Sequence, residues 1–256
     1  MNIRAFGKTD IGIIRENNED NFLIMNIGNG DEGDIKNPAS TSDGIILLVA
    51  DGMGGAVAGE TASLIMVTES AKYIRDHKTT KPEDLVRECL LVAHDQCHRM
   101  IKLNPGLMGM GTVATAAIVK GDQLFISQIG DTRLYLYRNK TLIQVTEDQN
   151  FVSELVRIGI ITPEQAMIHP QRNAVTQAVG SIEPIIPVDY TQSLEAGDKL
   201  LICSDGLNAM ISDMEIQLIL ESSKNLEVIV DNLIFAAKDS GGHDNITIIL
   251  AEVQNK

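Results

Sequence analysis

The chain has 256 residues, 44% of them hydrophobic, which suits one large domain with a sizeable core. Its formal net charge of −14 argues against nucleic acid as the main partner, because such binding rests on Lys and Arg neutralising phosphates. No signal peptide opens the sequence and no apolar run approaches the ~18 residues that span a bilayer, so a cytoplasmic protein without membrane insertion is expected. The cysteines agree: Cys89 and Cys97 lie on one helical pattern, ~12 Å apart along its axis and too far to bridge. Cys203 sits inside an apolar strand, so all three read as reduced core residues.

Residues 2–28 alternate like three strands, IRAF, IGII and NFLIMNI. The polar segment from Arg15 to Asp20 interrupts them and, taken alone, reads as a solvated hairpin loop. Residues 29–43 are polar and rich in turn formers, which predicts an exposed loop. Residues 45–50, IILLVA, read as a buried strand that ends in Asp51-Gly52-Met53-Gly54-Gly55. A carboxylate there is costly unless something cationic meets it, and glycine lets a backbone carbonyl approach a ligand closely. Phosphate cradles fit badly: Ala56-Val57 stand where a P-loop needs Lys and then Ser or Thr. A cation held by Asp51 and a Gly carbonyl fits better.

Two long helical patterns follow, over residues 57–77 and 82–103, the second with Pro82 suited to a first turn. His94 and His98 stand at i, i+4 in it, the spacing of a zinc helix, but no third ligand is evident and an ordinary pair is expected. Strands are predicted at 112–119, 123–129, 133–137 and 141–145, joined as an antiparallel meander, with Gly130-Asp131 as a turn or bulge. Residues 147–183 read as short helices and loops forming a flap on the surface. A strand at 186–194 precedes a second buried run, 199–203, that ends in Ser204-Asp205-Gly206 and repeats the pattern at Asp51. Helices near 212–220 and 226–237 lead to Gly241-Gly242-His243-Asp244-Asn245 and a last strand, 246–252.

Asp51, Asp131, Asp205 and Asp244 therefore each stand beside glycine or at the end of an apolar strand. If the strands share a core, the four carboxylates converge on one rim, and like charges so placed need a counter-charge. All-oxygen ligands select hard ions such as Mg²⁺ or Mn²⁺. Two ions sharing Asp51 would leave hydroxide available near neutral pH for attack on phosphorus. A guanidinium fork would hold the phosphate oxygens, and Arg15, beside Glu19 and Asp20, is the best candidate. No GxSxG elbow and no Cys in an Arg-rich anion loop offers a covalent route.

With these residues in view the chain resembles the metal-dependent Ser/Thr protein phosphatases of the type 2C (PPM) family, its bacterial members above all. The matching motifs are Arg15-x-x-x-Glu19-Asp20, Asp51-Gly-Met-Gly-Gly, Met110-Gly-Thr, Gly130-Asp-Thr-Arg133, His169-Pro-Gln-Arg-Asn-Ala-Val-Thr176, Ser204-Asp-Gly206 and Gly242-His-Asp-Asn245. They occur in family order across nearly the whole chain.

The resemblance implies an α+β fold, a four-layer α/β/β/α sandwich of two antiparallel sheets flanked by pairs of helices. It implies a single catalytic domain over 1–256 with its flap at about 147–183. Asp51 would bridge two metals, the Gly52 carbonyl would bind the first, and Asp205 and Asp244 would hold the second. Glu19 and Asp20 would act through bound waters, Arg15 would bind substrate phosphate, and Asp131 with Asp205 match the ligands of a third ion.

The activity implied is hydrolysis of phosphoserine and phosphothreonine in proteins, by a monomer opposing a bacterial-type Ser/Thr kinase. The alternatives are a phosphoprotein-binding pseudophosphatase and a partner-switching phosphatase dedicated to one phosphoserine. Animal members carry His at the position of Met53, proposed as the proton donor to the leaving group. Met has no proton to give, so a metal-bound water is the expected donor here. Gln149 stands where many bacterial relatives have His.

Overall fold

Residues 45–50 are apolar at every position because both faces of their strand are covered. The computed structural model describes residues 1–255, with the backbone only at Ala56, Val57 and Met167. In it the strand β4 (Ile45–Met53) lies between β2 (Asn21–Asn26) and β5 (Gly111–Lys120). Successive side chains of a strand point to opposite faces. Ile46, Leu48 and Ala50 join the cluster under the helices α1 (Ala56–Asp76) and α2 (Pro82–Leu103). Ile45, Leu47 and Val49 join a second cluster between two sheets.

The first sheet has six strands in the order β3-β1-β11-β10-β7-β8. These are β1 (Asn2–Asp10), β3 (Ile35–Ser40), β7 (Arg133–Arg138), β8 (Thr141–Gln144), β10 (Lys199–Cys203) and β11 (Ile246–Gln254). The second runs β2-β4-β5-β6-β9, with β6 (Gln123–Ile129) and β9 (Val188–Ser193). Every recorded pairing of these strands is antiparallel. On the far side of the first sheet, Leu201, Cys203, Ile248 and Leu250 meet α6 (Asp213–Glu221) and α7 (Leu226–Asp239) in a third cluster. Helix pair, sheet, sheet and helix pair make the expected four layers.

Four expectations from the sequence need correction. The strands of residues 112–145 are not one meander: β5 and β6 pair in one sheet, β7 and β8 in the other. The chain crosses the sandwich at Gly130, whose φ of 92° ends β6 and leaves no ladder to β7. Arg15 to Asp20 likewise forms a crossover from β1 to β2 rather than a hairpin, because those strands lie in different sheets. Residues 35–40 form a strand within what reads as a loop. β3 is an edge strand paired only with β1, which is where Pro38 is tolerated. The IGII segment, residues 11–14, is not a strand; Gly12 turns the chain at φ 80°, and Ile13 and Ile14 stand exposed.

Candidate active site

The rim where both sheets end gathers the acidic residues. Asp51 closes the apolar part of β4, opposite Val113. Asn21 pairs with Ala50, so the antiparallel register carries Asp20 directly across from Asp51. Asp131 follows β6 after Gly130, Asp205 follows β10 after Ser204 and opens the short helix α5 (Asp205–Asn208), and Asp244 precedes β11 by two residues. Crossing between sheets at Gly130 is what delivers Asp131 to the rim instead of into a hairpin.

The electrostatics report the convergence. Burial, then the charges of Asp20, Asp205, Asp131 and Asp244, push the Asp51 carboxyl well above its ordinary range. Burial and the same neighbours raise Asp205 to about 7. Burial lifts Asp20 to about 6, against hydrogen bonds from Thr247 and Ser204. It lifts Asp131 to about 6 as well, with Asp148 adding to the effect. Glu19 is raised by burial, moderated by Arg15. Carboxylates so placed hold protons near neutrality unless a cation displaces them.

Arg15 is a cation at the edge of the cluster, with Nη2 2.6 Å from Asp244 Oδ2 and its side chain half exposed. Its loop is anchored by Asn245, which the sequence motif contained but to which no role was assigned. Asn245 is 4% exposed. Its Oδ1 accepts the Glu19 N–H at 2.8 Å, and its amide donates to the carbonyls of Ile11 and Asn17, both at 3.0 Å. Ser204 Oγ is a second buried pin, donating to Asp20 Oδ2 at 2.7 Å while accepting the Thr247 N–H at 2.9 Å. Neither residue was singled out from sequence; their position beside Asp244 and Asp205 is the only local signal.

Gly52 earns its place by close approach. A Cβ there would stand 2.3 Å from the Gly59 carbonyl oxygen and 2.4 Å from that of Glu19. Gly59, in the first turn of α1, is a further site residue the sequence reading missed: a Cβ would lie 1.9 Å from Glu19 Oε2. The two glycines let the Glu19 segment and α1 close over the end of β4.

The flap is fastened beside Asp131. Gln149 Oε1 accepts the Gly130 N–H at 3.0 Å, and its backbone N–H donates to the Gly130 carbonyl at 3.0 Å. Asn150 caps the flap helix α3 (Phe151–Arg157) and donates a long bond, 3.4 Å, to Asp131 Oδ2. Arg133 grips Asp148 through Nε and Nη2 at 2.8 and 2.7 Å. The flap's second helix, α4 (Pro163–Met167), matches the predicted second short helix.

All-oxygen donors, burial and unbalanced negative charge suit hard divalent ions. Among the described residues no three His, Cys, Asp or Glu side chains already close on a common point as a metal cage does. The donors converge on one rim without being drawn into a shell. The His94–His98 pair does not compete. Their Nε2 atoms lie 3.1 Å apart, yet His94 Nδ1 accepts the Gly180 N–H at 3.1 Å. That bond places the neutral ring's proton on Nε2, the nitrogen a metal would need free. The pair instead fastens α2 to the end of the flap. His243 is exposed, with its ring against Gly241, and Met53 packs toward Gly111.

The protein phosphatase 2C family model matches residues 31–232. The serine/threonine phosphatase stp of Listeria welshimeri is 37% identical over 250 residues, covering 96% of this chain and 94% of that one. The crystal structure of the Mycobacterium tuberculosis serine/threonine phosphatase PstP superposes with a TM-score of 0.86 at 32% identity, covering all of both chains. The PstP catalytic domain in complex with two manganese ions superposes with a TM-score of 0.83 at 31% identity, covering 99% of each.

Proposed function

Because the chain belongs to the protein phosphatase 2C family, whose named relatives here are Ser/Thr phosphatases, we propose that its acidic rim is the catalytic centre. The activity is metal-dependent dephosphorylation of proteins, and the chain is a protein-serine/threonine phosphatase. The observation that carries the assignment is the convergence of Asp51, Asp20, Asp205 and Asp131 on one rim, each raised above its ordinary value with burial as the first cause, and with Arg15 at its edge.

In this reading Asp51, the Gly52 carbonyl, Asp205 and Asp244 would hold two divalent ions, Mg²⁺ or Mn²⁺, with Glu19 and Asp20 as outer partners, and Asp131 with Asp205 would hold a third. Such ions, when bound, would supply Lewis-acid charge and a water nucleophile usable at neutral pH. Arg15 leaves Asp244 to grip the substrate phosphate, and Asn245 keeps its loop in place. Buried Ser204 and Asn245 fix the backbone around the ligands, so little reorganisation is left for the reaction itself. The leaving oxygen takes its proton from water, since Met53 has none to give and the His243 ring is turned onto Gly241. The whole chain forms one catalytic domain acting as a cytoplasmic monomer on phosphoproteins, opposite a bacterial-type Ser/Thr kinase.

Hydrolysis of p-nitrophenyl phosphate and of a phosphothreonine peptide, present with Mn²⁺ and lost with EDTA, tests this directly. Binding of the phosphopeptide without turnover at saturating manganese would leave a phosphoprotein-binding module instead. Arg15→Ala is expected to raise KM for phosphopeptides roughly tenfold to 100-fold with a smaller change in kcat, by loss of a charge-assisted fork. A fall in kcat alone would move Arg15 out of substrate binding. Asp131→Ala is expected to leave two manganese ions bound, counted by calorimetric titration, while slowing turnover. Three tight ions in that variant would remove Asp131 from the ligands.

A further inference from the structure

The two residues before Arg15 are the unexplained part of its loop. Ile13 and Ile14 are 58% and 61% exposed, and Phe235 on α7 is 70% exposed. Single exposed apolar residues are ordinary, but a group of them beside a site marks an interaction surface. Ile13, Ile234 and Phe235 line one open cleft of about 650 Å³.

The remaining walls of this cleft are charged, yet largely neutralised from within. Lys8 Nζ is 2.6 Å from Asp231 and Lys238 Nζ is 2.8 Å from Asp10. Those pairs leave apolar surface as the main feature offered to a partner, with the Asp239 carboxylate on the rim. The cleft is also locked to the phosphate site. Ile13 N–H donates to the Gly242 carbonyl at 2.8 Å, two residues before Asp244, the partner of Arg15. A Cβ on Gly12 would stand 2.2 Å from the Asp244 carbonyl oxygen, so the two loops interlock.

We infer that this cleft receives a large uncharged apolar side chain of the phosphoprotein substrate, from residues flanking the phosphorylated one on the Arg15 side. The inference rests on the phosphatase reading above and names the substrate class of the same site. Continuity with Arg15 favours a substrate segment. An extended peptide advances ~3.3–3.6 Å per residue, so a side chain within about four residues of the phosphate reaches the cleft. A second copy of the chain would need ~800 Å² per partner for a stable interface, far more than one cleft offers.

The test is a phosphothreonine peptide panel in which each flanking position carries Leu, Ser or Asp, assayed with Mn²⁺ beside p-nitrophenyl phosphate. Wild type should prefer Leu over Ser at one flanking position by roughly tenfold or more in kcat/KM, expressed in KM, as one desolvated apolar side chain commands. Asp there should be worst. Phe235→Ser and Ile13→Ser should each erase the preference while leaving p-nitrophenyl phosphate turnover unchanged. A flat wild-type panel would overturn the inference without any variant, as would equal losses on peptide and small substrate in both variants. Absence of p-nitrophenyl phosphate turnover in wild type would instead remove the phosphatase reading itself.

Discussion

Asp51→Asn is expected to lower kcat/KM on a phosphopeptide by at least about 10³-fold, the scale set by losing a metal-centred electrostatic contribution. The same substitution is expected to raise the melting temperature of the metal-free protein at pH 8. Both follow from one fact. The Asp51 carboxyl is pushed well above its ordinary range, with burial first and four acidic residues after it. Asn keeps the shape and removes the charge, so the folded state without metal loses like-charge repulsion, while a metal held there as proposed would lose a charged ligand. Asp205→Asn should follow the same pattern, because burial and Asp131 raise it in the same way. Steady-state kinetics with Mn²⁺ and thermal melts in EDTA read the two effects. An inactive variant that also melts lower in EDTA would place Asp51 in a structural role and defeat the assignment.

Between pH 5.5 and pH 8 the metal-free protein is expected to lose stability, by at least ~4 °C in melting temperature. A domain of this size shifts ~2–4 °C per kcal/mol. Asp20 and Asp131 are raised to about 6 and Asp205 to about 7, from ordinary values near 3.8. In that window the folded chain binds more protons than the unfolded one, so stability falls as pH rises. The contribution is complete below the unfolded values and is lost as pH climbs through the folded ones. Burial opposes ionisation of Asp10 and Glu252, yet Lys238 and Arg4 hold both below their ordinary values. Those two act in the opposite sense, losing their contribution only at more acidic pH. Mn²⁺ requires the ionised carboxylates, so its stabilising effect should be largest at pH 8 and smallest at pH 5.5. A metal-free melting temperature that is flat or rising across the window would mean the carboxylates are not mutually buried as described.

The Gln149 and Asn150 contacts give the flap a physical tie to Asp131. Gln149 holds the Gly130 crossover twice, its side-chain Oε1 accepting the Gly130 N–H and its backbone N–H donating to the Gly130 carbonyl, so only the first bond depends on the side chain, as an acceptor. The side chain thereby fastens the flap beside Asp131.

Much of this molecule was legible from its residues one after another. The helices α1 and α2 carry their own period, α2 with a first-turn proline, and the runs at 45–50 and 200–203 are apolar throughout because both faces are covered. The Asp-Gly breaks at the ends of those runs announced Asp51 and Asp205 as candidates before any fold was considered, since a charge at the end of a buried strand needs a reason. What the chain could not state locally was which sheet each strand would join. A strand signal records burial and alternation, and both are the same whether residues 133–145 pair with β6 or cross to β10.

The same limit hid Asn245 and Ser204, polar residues whose partners lie over two hundred and about forty to nearly two hundred positions away. It also hid the exposure of Ile13 and Ile14, which read as strand until Gly12 turned the chain outward. Residue order thus determined the elements and the chemistry at their ends. Only packing two sheets face to face decided that those ends share one rim, because their meeting depends on contacts between segments that carry no mark of one another.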